Sequence, residues 1–289
     1  MEFKLNGREV TDCDKLTHQR EGIFMSVREL EQLLARPEYK TVNLVRQELS
    51  DRDKERVQRY ENINSFGAEV ADLFEDLCEE LHRIPTHQEY IDRAVELTEE
   101  WWMKETLKGN PHIRGLEFDE VMKQAVRNRQ GRGYLSLVNE VHTVALLKEL
   151  YPSAKIITHD LLDLVLGVDI VMEYKGKRLY FHVYKNSFYG RKAFHKKENR
   201  GGMKDSNDKF VKYHRDFSCD TSLMYDMTDT DTTKILNGIP LFTEDYIIHV
   251  IDRAMRIETV GERLSMKNNK LHKLSKWLKD NFNKEVSFE

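Results

Sequence analysis

Residues 167–187 have the sequence GVDIVMEYKGKRLYFHVYKNS, and this stretch decides the fold. Apolar and aromatic residues dominate on both sides of Lys175-Gly176, a pair that suits a tight turn because glycine tolerates positive φ angles. The pattern predicts two antiparallel strands joined by that turn. Asp169 opens the first strand and Lys185 nearly closes the second, so a hairpin would place both residues at the same end.

The composition is that of a charged, soluble protein. Of the 289 residues, 39% are hydrophobic and 33% are charged, with a formal net charge of −4. No apolar run reaches the roughly 18 residues of a membrane span, and residues 1–4 lack the apolar core of a signal peptide. Cys13, Cys78 and Cys219 are too far apart in sequence for a zinc motif or a disulfide framework. These features predict a cytoplasmic protein that does not contact a membrane.

Residues 1–128 are predicted to be mainly helical after an initial β-hairpin over residues 1–10. Capping boxes at Ser26–Glu29 and Thr86–Glu89 predict the starts of two helices. Apolar residues at helical spacing predict another helix over residues 66–81.

Residues 129–289 are predicted to form a mixed α/β unit, which makes the fold class α+β. The predicted elements are a loop at 130–133, a helix at 134–150, strands at 154–157 and 221–225, helices near 210–214 and 242–257, and an amphipathic C-terminal segment at 264–282.

The order of helix, strand and hairpin over residues 133–225 resembles the core of the PD-(D/E)xK, or restriction-endonuclease-like, nuclease superfamily. The resemblance implies a mixed β-sheet core flanked by helices. It identifies Asp169 as the signature aspartate, Lys185 as the signature lysine and Glu140 as a helical metal ligand. It also implies Mg²⁺ held by Asp169 and Glu140. The chain departs from the family pattern at residue 183, where Val stands in place of the second acid.

Three interpretations of Val183 remain open. In the first interpretation the site is inactive, because the metal and the attacking water would each lack a carboxylate partner. Alternatively the acid has migrated, to Glu140 or to Glu173, although Glu173 would lie roughly 13 Å along the strand from Asp169. In the third interpretation His182 serves as ligand or base, although it belongs to the opposite strand face from Val183.

Each of these residues also has a structural interpretation. Asp169 would be a strand-entry aspartate satisfied by backbone donors, and Glu140 a solvated helix residue. Lys185 would protect an edge strand from pairing with another chain.

Residues 185–215 form what we call the basic segment, with ten basic and three acidic side chains in a chain of net charge −4. Aromatic side chains such as Phe188 and Tyr189 are interspersed. This composition favours contacts with phosphates and bases, or with an acidic protein surface. The binding residues predicted there are Arg191, Lys192, Lys196, Lys197, Arg200 and Lys204.

The sequence therefore predicts a nuclease-superfamily protein that engages nucleic acid or a nucleic-acid-processing complex, with a degenerate site for Mg²⁺-dependent cleavage. The alternative is a catalytically inactive interaction protein, such as a phage- or mobile-element-type inhibitor that binds a host defence nuclease complex. A third interpretation is a scaffold that forms homo-oligomers, favoured by the large helical fraction.

Overall fold

The computed structural model describes residues 3–5, 8–10, 25–42, 44, 50–61, 73–158, 168–187, 190–191, 202–204, 210–212 and 220–256. These residues form a mixed α+β structure whose N-terminal region is helical, as predicted. The predicted C-terminal segment at 264–282 lies outside the described residues. None of the described helices combines the length and the apolar character needed to cross a lipid bilayer.

Where the structure describes the N-terminal region, it contains four α-helices. They are α1 (Val27–Leu34), α2 (Asp51–Glu61), α3 (Leu73–Leu81) and α4 (His87–Leu107), and the strands β1 (Phe3–Leu5) and β2 (Arg8–Val10) precede them as a hairpin. Both predicted capping boxes are present, with Ser26 capping α1 and Thr86 capping α4. These starts were predictable because a capping box satisfies backbone donors within one turn of the helix.

The next helix, α5, is continuous from Glu120 to Leu150. The loop predicted at 130–133 is therefore wrong, and the proposed domain division at residue 128 falls inside this helix. Close packing explains the glycine at 131. A Cβ atom there would lie 2.8 Å from Leu44, 2.9 Å from His87 and 3.0 Å from Ile91. Gly131 is thus used for close approach of neighbouring side chains rather than for a turn.

A four-stranded mixed sheet follows α5, with strand order β3-β4-β5-β8. Its strands are β3 (Lys155–Ile157), β4 (Ile170–Tyr174), β5 (Lys177–Lys185) and β8 (Asp220–Tyr225). The strands β3, β4 and β5 pair antiparallel, whereas β5 and β8 pair in parallel. The predicted turn is confirmed, since Lys175 and Gly176 join β4 to β5 with φ angles of 48° and 75°.

One face of the sheet packs on α5 and on the final described helix, α6 (Glu244–Arg256). The buried side chains that join these layers include Tyr134, Val138, Ile170, Met172, Leu179, Phe181, Val183, Leu223 and Ile251. Packing of the predicted 134–150 helix on this sheet is thereby confirmed. The main source of stability at this layer is the burial of that apolar surface.

Two short hairpins complete the described structure. The strands β6 (Gly202–Lys204) and β7 (Phe210–Lys212) pair within the basic segment, so the helix predicted near 210–214 is wrong for residues 210–212. The aromatic Phe210 and the β-branched Val211 favour the strand. The second hairpin, β9 (Thr233–Leu236) and β10 (Ile239–Phe242), turns at Asn237-Gly238 with φ angles of 52° and 86° and was not predicted.

Candidate functional site

Asp169 lies immediately before β4, at the point where the pairing of β4 with β5 ends. Its backbone N–H donates to the carbonyl of Phe181 at 3.0 Å. Its Oδ2 atom accepts a hydrogen bond from the backbone N–H of Val183 at 2.6 Å. The carboxylate thus serves as the acceptor for a strand amide beyond the last paired residue of β4. This contact corresponds to the structural interpretation in which a backbone donor satisfies the aspartate.

Val183, at the position where the resemblance implies a second acid, is a core residue. Its side chain is buried in the apolar cluster beneath the sheet, and it is in register with the buried Leu223 of β8. A carboxylate at residue 183 would enter an apolar environment, where a charged group needs a partner to be stable. An apolar side chain such as valine therefore suits this buried position.

Lys185 ends β5 with an exposed side chain, in register with Tyr225 at the end of β8. Asp226 follows directly, and its Oδ2 accepts a hydrogen bond from the Asn186 side chain at 3.1 Å. Hydrogen bonds from the backbone and hydroxyl of Thr228 lower the pKa of Asp226, and the charge of Lys185 acts in the same direction. The carboxyl ends of the two parallel strands therefore bring a lysine and an aspartate together.

Glu140 lies on α5, on the side that faces the end of β8. One turn before Glu140, α5 is tied to that strand, since the Ser136 hydroxyl is 3.0 Å from the hydroxyl oxygen of Tyr225. Burial raises the pKa of Tyr225, and the negative charge of Glu140 raises it further. Glu140 is partly buried rather than fully solvated.

His182 and Glu173 both lie in the strands of the sheet. His182 is buried in β5, in register with Ser222 of β8, and it is not part of the apolar cluster that contains its neighbour Val183. The Oε1 atom of Glu173 pairs with Arg178 across the β4–β5 turn, with the Arg178 Nε at 2.9 Å. Glu173 therefore forms an ion pair near the turn, far along the strands from residue 183.

No family model matches this sequence, and no curated protein or solved structure is significantly similar to it. The assignment of chemistry to the site therefore depends on its geometry and on the residues themselves.

The described donors do not fit the Mg²⁺ site that the resemblance implies. One oxygen of Asp169 is engaged by a backbone amide, and residue 183 contributes a methyl-bearing side chain instead of an oxygen. Within the described ranges, no three His, Cys, Asp or Glu side chains gather closely enough to hold a metal ion. Magnesium prefers several oxygen ligands in octahedral geometry, which Asp169 and Glu140 by themselves do not supply.

Asp226 and Asn186 are the residues of this region that the sequence interpretation missed. The available signal was the position of Asp226 directly after a predicted strand, because polar residues at the carboxyl ends of parallel strands commonly line sites. That signal requires knowing that β8 is parallel to β5, which local sequence does not specify.

The basic segment starts at this same end of the sheet. Arg191 is exposed and follows a turn in which its backbone N–H donates to the carbonyl of Ser187 at 2.9 Å. Lys204 belongs to β6. The other predicted binding residues, Lys192, Lys196, Lys197 and Arg200, lie outside the described residues.

Proposed function

We propose that this chain is a nuclease-like protein that engages nucleic acid or a nucleic-acid-processing complex and cleaves DNA weakly or not at all. The contact between Asp169 and Val183 carries the proposal. The hairpin holds an aspartate and a lysine as the restriction-endonuclease-like resemblance implies, while the residue opposite the aspartate offers a backbone amide instead of a second carboxylate.

The arrangement of the elements supports a restriction-endonuclease-like core. The helix α5, the strand β3 and the hairpin of β4 and β5 follow one another in the chain. The three strands belong to one sheet, and α5 packs on that sheet. This is the order on which the sequence resemblance rests. The parallel strand β8 extends the sheet next to β5, which places Lys185 at the carboxyl end of a parallel strand pair. Ligands commonly bind at such strand ends.

The position of the charges supports an anionic partner. Lys185 is both the last residue of β5 and the first residue of the basic segment. An exposed ammonium group there suits contact with a phosphate as a point charge. The basic segment continues this positive charge from the end of the sheet. A phosphate backbone bound there would lie next to Asp169 and Lys185, and such binding does not require cleavage.

We predict that the purified chain does not efficiently nick supercoiled plasmid DNA with Mg²⁺ or Mn²⁺. The Asp169→Ala variant should leave that low activity unchanged. It should nevertheless lower the free energy of unfolding by about 1–3 kcal/mol, because the amide of Val183 loses its acceptor. Agarose gel electrophoresis of the plasmid and urea denaturation measure the two effects.

The Asp169→Asn variant is the matched control for this experiment. Its side-chain oxygen can still accept from the Val183 amide, so it should be more stable than Asp169→Ala. Robust metal-dependent cleavage that Asp169→Asn abolishes would contradict the proposal and would mean that an acid elsewhere in the chain completes the site.

The engaged carboxylate also favours a second candidate, the catalytically inactive interaction protein. In that case an acidic protein surface, such as that of a defence nuclease complex, would replace DNA as the partner. Titration with duplex DNA at several salt concentrations separates the two functions, because phosphate contacts give a steep salt dependence. Absence of salt-sensitive DNA binding would favour the protein partner.

A further inference from the structure

A polar cluster of the buried His142 with the half-buried Glu31 and Lys234 joins three elements that are distant in sequence. The His142 side chain on α5 has a relative exposure of 0%, and its Nε2 lies 2.9 Å from Oε1 of Glu31 on α1. Lys234 on β9 pairs with the same carboxylate oxygen. A single carboxylate thus connects α1 to both the long helix and the second hairpin.

The hydrogen bonds determine which protons this cluster holds at neutral pH. The hydrogen bond with His142 lowers the pKa of Glu31 to about 2, and Lys234 acts in the same direction. Glu31 is therefore a carboxylate that can only accept, so His142 donates to it through Nε2–H. The other ring nitrogen, Nδ1, is buried and has no hydrogen-bond partner in the part of the chain that the structure describes. A neutral imidazole fits this environment.

A second proton on His142 would be poorly accommodated. It would create a buried Nδ1–H donor for which the described residues supply no acceptor, and such a donor is costly. The charged groups that act on His142 are Glu31, Lys234 and Glu149 of α5. Burial lowers the pKa of His142, and the nearby Lys234 lowers it further, although Glu31 and Glu149 oppose them.

We propose that His142, Glu31 and Lys234 form a pH-sensitive latch that holds α1 against α5 and β9 at neutral pH and loosens it on acidification. The two ends of α1 are held by separate contacts outside the latch. Glu149 accepts from the N–H of Val27 at 2.7 Å, and the Asn237 amide donates to the Leu34 carbonyl at 2.9 Å. The latch therefore controls the middle of the helix, and opening exposes the imidazolium to water.

The direction of the pH effect follows from the two groups of the latch. Because the pKa of His142 is lowered from its ordinary value of 6.5, its contribution is present above pH 6.5 and is lost as the pH falls below that value. Glu31 contributes above its ordinary value of 4.5 and loses that contribution between pH 4.5 and about 2. A change in protection between pH 6.5 and pH 4.5 therefore reports on the protonation of histidine and not on that of Glu31.

Hydrogen–deuterium exchange of the full chain between pH 7.5 and 5 tests the latch. The protection factors of amides in residues 27–34 should fall by up to about tenfold per pH unit below 6.5, because opening takes up one proton. In His142→Gln, whose amide can still donate to Glu31 but does not titrate, protection of this segment should stay constant over the same range.

Two further measurements keep the inference falsifiable. His249→Gln removes an exposed histidine of α6 and should leave the pH dependence of residues 27–34 as in the unmodified chain. Nitrogen-15 chemical shifts of the unmodified chain should show a His142 ring that carries its proton on Nε2 at pH 7. A uniform loss of protection in all helices, or a loss in residues 27–34 that persists in His142→Gln, would overturn the latch. Exchange must be measured at residues 27–34 rather than for the whole chain, because burial lowers the pKa of His87 as well and His87 would also contribute to a global pH effect.

Discussion

Replacement of Lys192, Lys196, Lys197 and Arg200 by serine is expected to weaken binding to duplex DNA by about 100- to 1,000-fold near 0.1 M salt. These four side chains belong to the basic segment, whose ten basic and three acidic residues contrast with a chain of net charge −4. Each phosphate contact releases condensed counterions, so the slope of log affinity against log salt should also become shallower by up to about 3.6. Fluorescence anisotropy at several salt concentrations measures both quantities.

A matched variant with Lys267, Lys270, Lys273 and Lys276 replaced by serine removes the same formal charge from the C-terminal segment. It should retain most of the affinity, which would separate a local contact from a general charge effect. Circular dichroism melting curves should show that the basic-segment variant keeps its fold, because lysine and arginine side chains are rarely buried in a core. Full DNA binding by that variant, with binding lost in the C-terminal one, would assign the nucleic-acid contact to residues 264–282.

The parts of the fold that were predictable are those that local sequence specifies. Ser26 and Thr86 each satisfy backbone donors within their own first turn, so both helix starts could be located without knowledge of the tertiary structure. The hairpin of β4 and β5 is likewise local, with its turn at Lys175-Gly176. The β9–β10 hairpin carried an equally local Asn237-Gly238 signal, which is among the strongest short-range indications of a hairpin.

The candidate site was less predictable because its geometry depends on contacts between distant residues. The sequence placed Asp169 and Lys185 on one hairpin, and it allowed for an aspartate satisfied by a backbone donor. It did not indicate that the donor would be the amide of Val183, nor that Asp226 would lie beside Lys185. The second of these depends on the parallel pairing of β5 with β8, two strands separated by the basic segment.

The glycines of α5 show the same limit, because one residue type has two different roles there. The sequence predicts a loop that includes Gly131 and Gly133, yet both lie within one continuous helix. Gly131 is buried among Leu44, His87 and Ile91, whereas Gly133 is exposed and a Cβ atom there would meet nothing within 4 Å. Only the tertiary packing distinguishes the two positions.

We expect Gly131→Ala to destabilise the protein by about 1–3 kcal/mol, because an added methyl group overpacks this contact. Leu44 and Ile91 present flexible side-chain ends, but His87 cannot retreat easily. Its Nδ1 accepts from the Val42 N–H and its Nε2 donates to the Gly131 carbonyl, each at 2.9 Å. The overpacking therefore exceeds the gain in helix propensity, which is about 1 kcal/mol for replacing glycine by alanine.

Gly133→Ala is the matched control, since it makes the same chemical change two residues later in the same helix. It should stabilise the protein by about 0.5–1 kcal/mol, because it gains helix propensity without any new contact. Urea denaturation of the two variants and the unmodified chain measures both free energies of unfolding. Stabilisation by both substitutions would contradict the close packing at Gly131, and destabilisation by both would contradict a continuous helix through residues 131–133.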